Sequence, residues 1–319
     1  MLQFESVFWG TKNSLQLIKK LKALGFSTLP STRDPGAQSI YFGPESIEIF
    51  DSQQTLLTLG DQQQLNEHLK SGDAIIGLGL ESDNIARDYH RLKTVYPLEK
   101  LRSAKDTQKN VPLWYGFTVP DTTLGLNTWV LMNSPQVLQQ QASEMLPLKH
   151  PNTCFGIEGI HILIKDFESA SAKWSQVLEK QNSGIQWAEL GKTHGKRLQA
   201  GDRFLDLLEK TNDTDLTRAA NGREGVAMLT LKVADLEQAK ALALASGASV
   251  INCNNRDGFI IPSEFTGGPA LRIIRAFWKR YLPVLNDFFP QGRRPDKFRP
   301  LGGVNTTTLT DDFSDNWKY

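Results

Sequence analysis

Gly159-Ile-His-Ile-Leu-Ile-Lys-Asp166-Phe-Glu-Ser-Ala170 decides the fold of this chain. An apolar, strand-forming run ends at an acidic residue, and apolar positions then recur at helical spacing through Trp174 and Leu178. Aspartate suits the junction because its carboxylate accepts hydrogen bonds from the free N–H groups of a first helical turn. The same string returns at Met228-Leu-Thr-Leu-Lys-Val-Ala-Asp235-Leu-Glu-Gln-Ala239, whose helix is stopped by Gly247. It returns again at Ile75-Ile-Gly-Leu-Gly-Leu-Glu-Ser-Asp83-Asn-Ile-Ala86, with a helix through Tyr89 and Leu92. A weaker fourth copy opens at Phe4-Glu-Ser-Val-Phe-Trp9 and leads into a helix from Asn13 to Leu24, capped by Gly25.

Short strand-like runs follow each helix. Gln38–Phe42 and Ser46–Phe50 flank the turn Gly43-Pro44, and Arg203–Leu208 follows the tight turn Gly201-Asp202. The unit is therefore strand, helix and two or three antiparallel strands, repeated four times. One helix on a sheet of about 50–60 residues buries too little surface to stand alone, so the units are expected in pairs, with helices covering the outer face. This predicts an α+β protein of two curved-sheet domains, residues 1–149 and 150–278. Pro147 and Pro151 mark the boundary, and 279–319 form a C-terminal extension.

Composition agrees with two folded domains. The chain has 319 residues, 39% of them hydrophobic and 22% charged, which excludes wholesale disorder. Lys and Arg number 36 against 35 Asp and Glu, so nothing global points to nucleic acid or an anionic membrane. No apolar run approaches the roughly 20 residues of a membrane span, and MLQFESVFWG lacks the pattern of a signal peptide. Cys154 and Cys253 have no metal-type spacing and read as buried thiols of a reducing compartment, so a cytoplasmic location is expected.

Strand, Asp-capped helix and antiparallel strands used in pairs resemble the βαβββ module of the vicinal oxygen chelate (glyoxalase/bleomycin resistance/dioxygenase) superfamily. More narrowly, Gly201-Asp-Arg-Phe-Leu-Asp206-Leu-Leu208 and His150-Pro151-Asn152 ahead of Gly156–Ile160 resemble motifs of its glyoxalase-like domain family. The resemblance spans about residues 70 to 278, is weaker over 1–60 and ends near 279. It implies a divalent metal in the trough of the sheet, held by His, Glu or Gln from the first and closing strands and used as a Lewis acid.

The repeat lets those positions be checked one by one. In the second domain the first-strand position falls on Gly159, with His161 two residues on and on the same face, and the closing-strand position falls on Asp206. The matching residues of the fourth unit are Met228 and Arg272; a thioether suits a hard cation poorly and a guanidinium cannot coordinate one. His161 and Asp206 remain as candidate ligands, and His194 could supply a third group. In the first domain Glu48 aligns with Asp206, with Glu5 or Ser6 on the first strand. It lacks obvious co-ligands and reads more readily as an exposed strand carboxylate. Strand parity sets Asp206 and Leu208 against Leu205 and Leu207. Asp206 is therefore expected in the trough, beside His161, with Arg272 entering from the fourth unit to meet a ligand or pair with Asp206.

Other chemistries lack their signatures. There is no GxSxG elbow, HExxH or phosphate-binding loop, and Gly77-Leu-Gly79 lacks the third glycine of a dinucleotide loop. Trp114, Tyr115, Trp129 and Trp187 lie in strand segments with Lys196, Arg197 and Arg272 nearby, which suits a small planar or anionic ligand as well as plain sheet core. The expectation is a small-molecule-binding protein whose metal site is degenerate, with no assured cofactor. The alternative is a metal-dependent lyase, isomerase or oxygenase using His161, His194 and Asp206, or Glu48. Beyond Ala276, Phe277–Phe289 carries an aromatic, helix-like stripe suited to docking on its own protein or a sister subunit in a homodimer, followed by a short basic run.

Overall fold

The structure is a computed structural model. It describes residues 2–31, 36–52, 69–70, 72–98, 100–106, 111–120, 126–133, 149–187, 192–210, 224–253, 257–276 and 304–308, with single positions such as Leu124, Leu190 and Leu216 between them.

The first unit runs β1 (Gln3–Thr11), α1 (Ser14–Ala23), β2 (Leu29–Pro30), β3 (Gln38–Phe42) and β4 (Glu45–Asp51). The second runs β5 (Ala74–Glu81), α2 (Ile85–Lys93), β6 (Arg102–Asp106), β7 (Val111–Val119) and β8 (Asn127–Asn133). The third contains β9 (Cys154–Ile164), α3 (Phe167–Leu178), β10 (Ser183–Trp187), β11 (Thr193–Ala200) and β12 (Arg203–Glu209). The fourth contains β13 (Gly225–Val233), α4 (Leu236–Ala245), β14 (Ile251–Asn252), β15 (Gly258–Ile261), a short α5 (Ser263–Thr266) and β16 (Ala270–Arg275). Four βαβββ units are therefore present, as the repeat predicts.

In every unit the closing strand lies parallel to the opening one: β1 with β4, β5 with β8, β9 with β12 and β13 with β16. Opening strands then pair antiparallel, β1 with β5 and β9 with β13, so two units fuse into one sheet. Among the described residues the first sheet has nine strands and the second eight. The ninth is β17 (Val304–Thr308), antiparallel to β6, so the chain beyond 278 returns to the first sheet. The aromatic stripe at 277–289 lies outside the described residues.

Helix entries follow capping chemistry, with one displacement. Asp235 accepts from the Gln238 N–H at 3.0 Å, whereas Asp166 sits at the N-cap without a side-chain cap bond. Asp83 is not the cap of α2: the Asn84 amide oxygen accepts from the Arg87 N–H at 3.0 Å, and Asp83 instead pairs with Arg87 one turn on. Either residue type caps a helix, and here Asn84 takes the role.

Strand parity sorts each sheet into two faces. Ile47 and Ile49, Ile160 and Ile162, and Leu205 and Leu207 join the helices in one apolar core that runs through both halves of the chain. The helices are not an outer cover. α1 packs on α4 and α5, and Arg91 of α2 donates to the Gln176 and Val177 carbonyls at the end of α3. Each sheet turns one apolar face to the helices, and a shared helix layer buries both.

The segment joining the halves is locked onto α1. His150 accepts from the Ser27 N–H through Nδ1 (3.0 Å) and donates through Nε2 to the Tyr41 carbonyl (3.0 Å). Asn152 donates to the Leu24 carbonyl from its side chain and to the Gly25 carbonyl from its backbone. Gly25 has φ +84°, and a Cβ there would lie 2.8 Å from the Asn152 nitrogen, so glycine is required on both counts. A buried ionic group adds a second tie: Arg203 pairs with Glu45, Glu45 also accepts the Ile157 N–H at 3.0 Å, and Lys232 lies 3.2 Å from Glu158.

Candidate functional site in the trough of the second sheet

The face of the second sheet away from the helices carries a polar belt across five adjacent strands. Asp206 on β12 lies in register with Arg197 on β11 and with His161 on β9. Thr230 on β13 and Arg272 on β16 are in register with each other and continue it, two residues along from the position opposite His161. The hairpin places the first pair: with Gly201-Asp202 as the turn, Ala200 meets Arg203 and Arg197 meets Asp206.

The belt is closely bonded. Arg197 grips Asp206 with two parallel hydrogen bonds, Nε to Oδ1 at 2.6 Å and Nη2 to Oδ2 at 2.7 Å. His161 Nε2 and the Thr230 hydroxyl are 2.7 Å apart, and His161 Nδ1 lies 3.2 Å from Asp206 Oδ2, off the line of a hydrogen bond. His161, Asp206 and Thr230 are all fully buried. Burial alone pushes the Asp206 carboxyl up, but the Arg197 guanidinium and His161 outweigh it and hold the carboxyl below its ordinary value. Burial lowers the His161 imidazole, Asp206 works against this, and Arg272 and Arg197 add to the lowering, so the ring is held neutral.

Aromatic rings frame these groups. Trp187 lies 4.4 Å from the His161 ring, the Arg197 guanidinium stacks 4.0 Å above Phe204, and Arg272 sits 5.2 Å from Trp187. The Trp187 indole N–H is buried without a hydrogen-bond partner among the described residues. Leu163, Leu208, Leu216, Met228 and Ile260 pack below.

The expected residues are thus partly assembled. His161, Asp206, Trp187 and Arg272 share this face. Asp206 pairs with Arg197, not Arg272, because the hairpin register brings Arg197 directly opposite. His194 does not join them: it alternates with Arg197 along β11, on the face where Leu198 enters the helix core, and is exposed. Gly159 offers no ligand, and a Cβ there would meet the Phe204 ring at 2.2 Å. Glu48 lies in the other sheet and is 1% exposed, so it is no surface carboxylate; Ser39 and Ser46 hydroxyls donate to it. Sequence reasoning named Arg197 as a cation near the aromatic strands but not as the partner of Asp206, and it left Thr230 out. The two-residue turn could have supplied Arg197, but no local pattern marks Thr230.

No family model matches the sequence, and no curated protein matches it. Solved structures do. The chain superposes over 86% of its length on a hypothetical protein from Staphylococcus aureus, covering 100% of that chain at 10% identity (TM-score 0.57). It is similar over 86% to a substituted form of 4-hydroxymandelate synthase from Streptomyces coelicolor, covering 93% at 11% identity (TM-score 0.58). It is likewise similar over 86% to a catechol 2,3-dioxygenase, covering 89% at 11% identity (TM-score 0.55).

The chain has the vicinal oxygen chelate fold. In a vicinal oxygen chelate sheet the trough between paired units is where first and closing strands converge, and here it holds the belt. Its donor set does not fit a divalent cation. Both Asp206 oxygens are taken by a guanidinium, His161 Nε2 is taken by Thr230, and two arginines place positive charge beside the site. Among the described residues no three His, Cys, Asp or Glu side chains are grouped to hold a metal, and no helix is long and apolar enough to cross a membrane.

Proposed function

We propose that the chain is a small-molecule-binding protein on the vicinal oxygen chelate fold, in which a salt-bridged belt stands where the superfamily's metal would sit. The bidentate Arg197–Asp206 pair carries this reading, because it removes the carboxylate from coordination chemistry. The ligand class follows from what surrounds the pair: Arg197 is partly exposed, Arg272 lies by the Trp187 ring, and the Trp187 N–H is a buried donor. Cations and an indole donor around an aromatic wall suit a small planar anion such as an aromatic carboxylate. On this reading 1–149 and 150–278 are the two domains, 279–319 an extension, and the location cytoplasmic.

Two measurements test it. Calorimetric titration with benzoate-type acids should give saturable binding that Trp187→Leu weakens at least tenfold; equal affinity in that variant would move the site elsewhere. Elemental analysis of protein purified without chelator should give less than one divalent ion per chain. One tightly held ion, lost in His161→Ala, would instead favour the metal-dependent lyase, isomerase or oxygenase, in which Arg197 must swing away from Asp206.

A further inference from the structure

We propose that the trough of the first sheet receives an organic ammonium group, with Glu48 as its counter-ion. This concerns the other trough and the opposite charge, so it stands or falls independently of the function proposed above.

The internal repeat supplies the argument. Glu48 and Asp206 occupy the same place in their units, each in a closing strand and each paired across a hairpin with the strand before it. In the second sheet the residue across the hairpin is Arg197, which neutralises the carboxylate. In the first sheet it is Ser39. Glu48 accepts hydrogen bonds from the Ser39 hydroxyl and from the Ser46 hydroxyl at 3.0 Å. Among the described residues no Lys, Arg or His pairs with it. Hydroxyl donors leave the charge of a buried carboxylate uncompensated, and buried carboxylates are ordinarily matched by a cation.

What surrounds Glu48 selects the cation. Phe8 lies in register beside it, and Phe50 follows two residues on along the same face. The Phe8 ring is 5.7 Å from Phe50 and 4.9 Å from Trp129, edge to face in both cases. Aromatic rings next to a carboxylate favour a desolvated alkylammonium, whereas a hard metal ion would need several further oxygen ligands.

Calorimetric titration of the full chain with benzylammonium and with benzyl alcohol, its neutral near-isostere, tests the proposal. Benzylammonium should bind saturably, at least tenfold tighter than the alcohol, and Mn²⁺ should not displace it. Glu48→Gln should weaken it at least tenfold. Should that variant fail to fold, Ser39→Lys, which brings an internal ammonium to the carboxylate as Arg197 does in the second sheet, should abolish binding. No binding of either compound, equal binding of both, displacement by Mn²⁺, or wild-type affinity in the variants would each overturn the assignment.

Discussion

Arg197 and Asp206 face each other across a β-hairpin and share two hydrogen bonds of 2.6 and 2.7 Å, with the carboxylate fully buried and the guanidinium about a quarter exposed. Truncating the arginine leaves a buried carboxylate facing a neutral imidazole. Arg197→Ala should therefore cost about 3 kcal/mol, read from urea unfolding, and Arg197→Lys should recover only part because one amine cannot grip both oxygens. A loss below about 1 kcal/mol would mean that solvent already compensates Asp206.

Acid should destabilise the protein in two stages. Burial lowers the pKa of His161 and of His150, so each is neutral when folded and takes up a proton when unfolded. Their contribution is complete above the ordinary histidine value of about 6.5 and is lost as the pH falls below it, by up to about 1.4 kcal/mol per pH unit for each ring. Asp206, held below its ordinary value, adds stability above the usual carboxylate range that disappears only as the pH falls further. Unfolding midpoints measured from pH 7.5 to 5 should fall, with a shallower slope in His161→Gln. An unchanged slope in that variant would show that His161 takes up no proton on unfolding.

One tie between the two halves is ionic, and it is uneven. Burial raises the pKa of Glu45, although Arg203 and the Ile157 N–H oppose it, and burial lowers that of Lys232. Arg203→Ala removes the cation bonded to Glu45 and should cost about 3 kcal/mol. Calorimetry of that variant should resolve two transitions where the wild type shows one, since the lost contact spans both sheets. Lys232→Met, apolar and of similar length, should be near neutral because Glu158 is partly exposed.

Gly159 leaves room for an aromatic ring. A Cβ there would lie 2.2 Å from Phe204, whose ring is stacked beneath Arg197. Gly159→Ala should lower stability by about 1–3 kcal/mol, and adding Phe204→Leu should return much of it. Thermal melts of the single and double variants check this, and additive losses would show that the ring is not the obstacle.

Local signals carried most of the architecture. Four strand–cap–helix strings, with glycines after α1 and α4, are enough to place the units, because capping and hydrophobic period act within a few residues. Hairpin turns go further: Gly43-Pro44 puts Ser39 opposite Glu48, and Gly201-Asp202 puts Arg197 opposite Asp206, by counting alone. The face of Asp206 was also legible, since Leu205 and Leu207 had to meet the helices. The short strands β2, β6 and the returning β17 carry no distinctive pattern, since they lie at or next to a sheet edge, where pairing rests on backbone hydrogen bonds. Only the tertiary structure could bring Thr230 to His161, because that contact joins the two units through the pairing of β9 with β13, or set Trp187 of β10 over the same ring across two intervening strands. Packing between the two halves turned the helices inward to a common core, an outcome set by the total apolar area of both and by no segment of either.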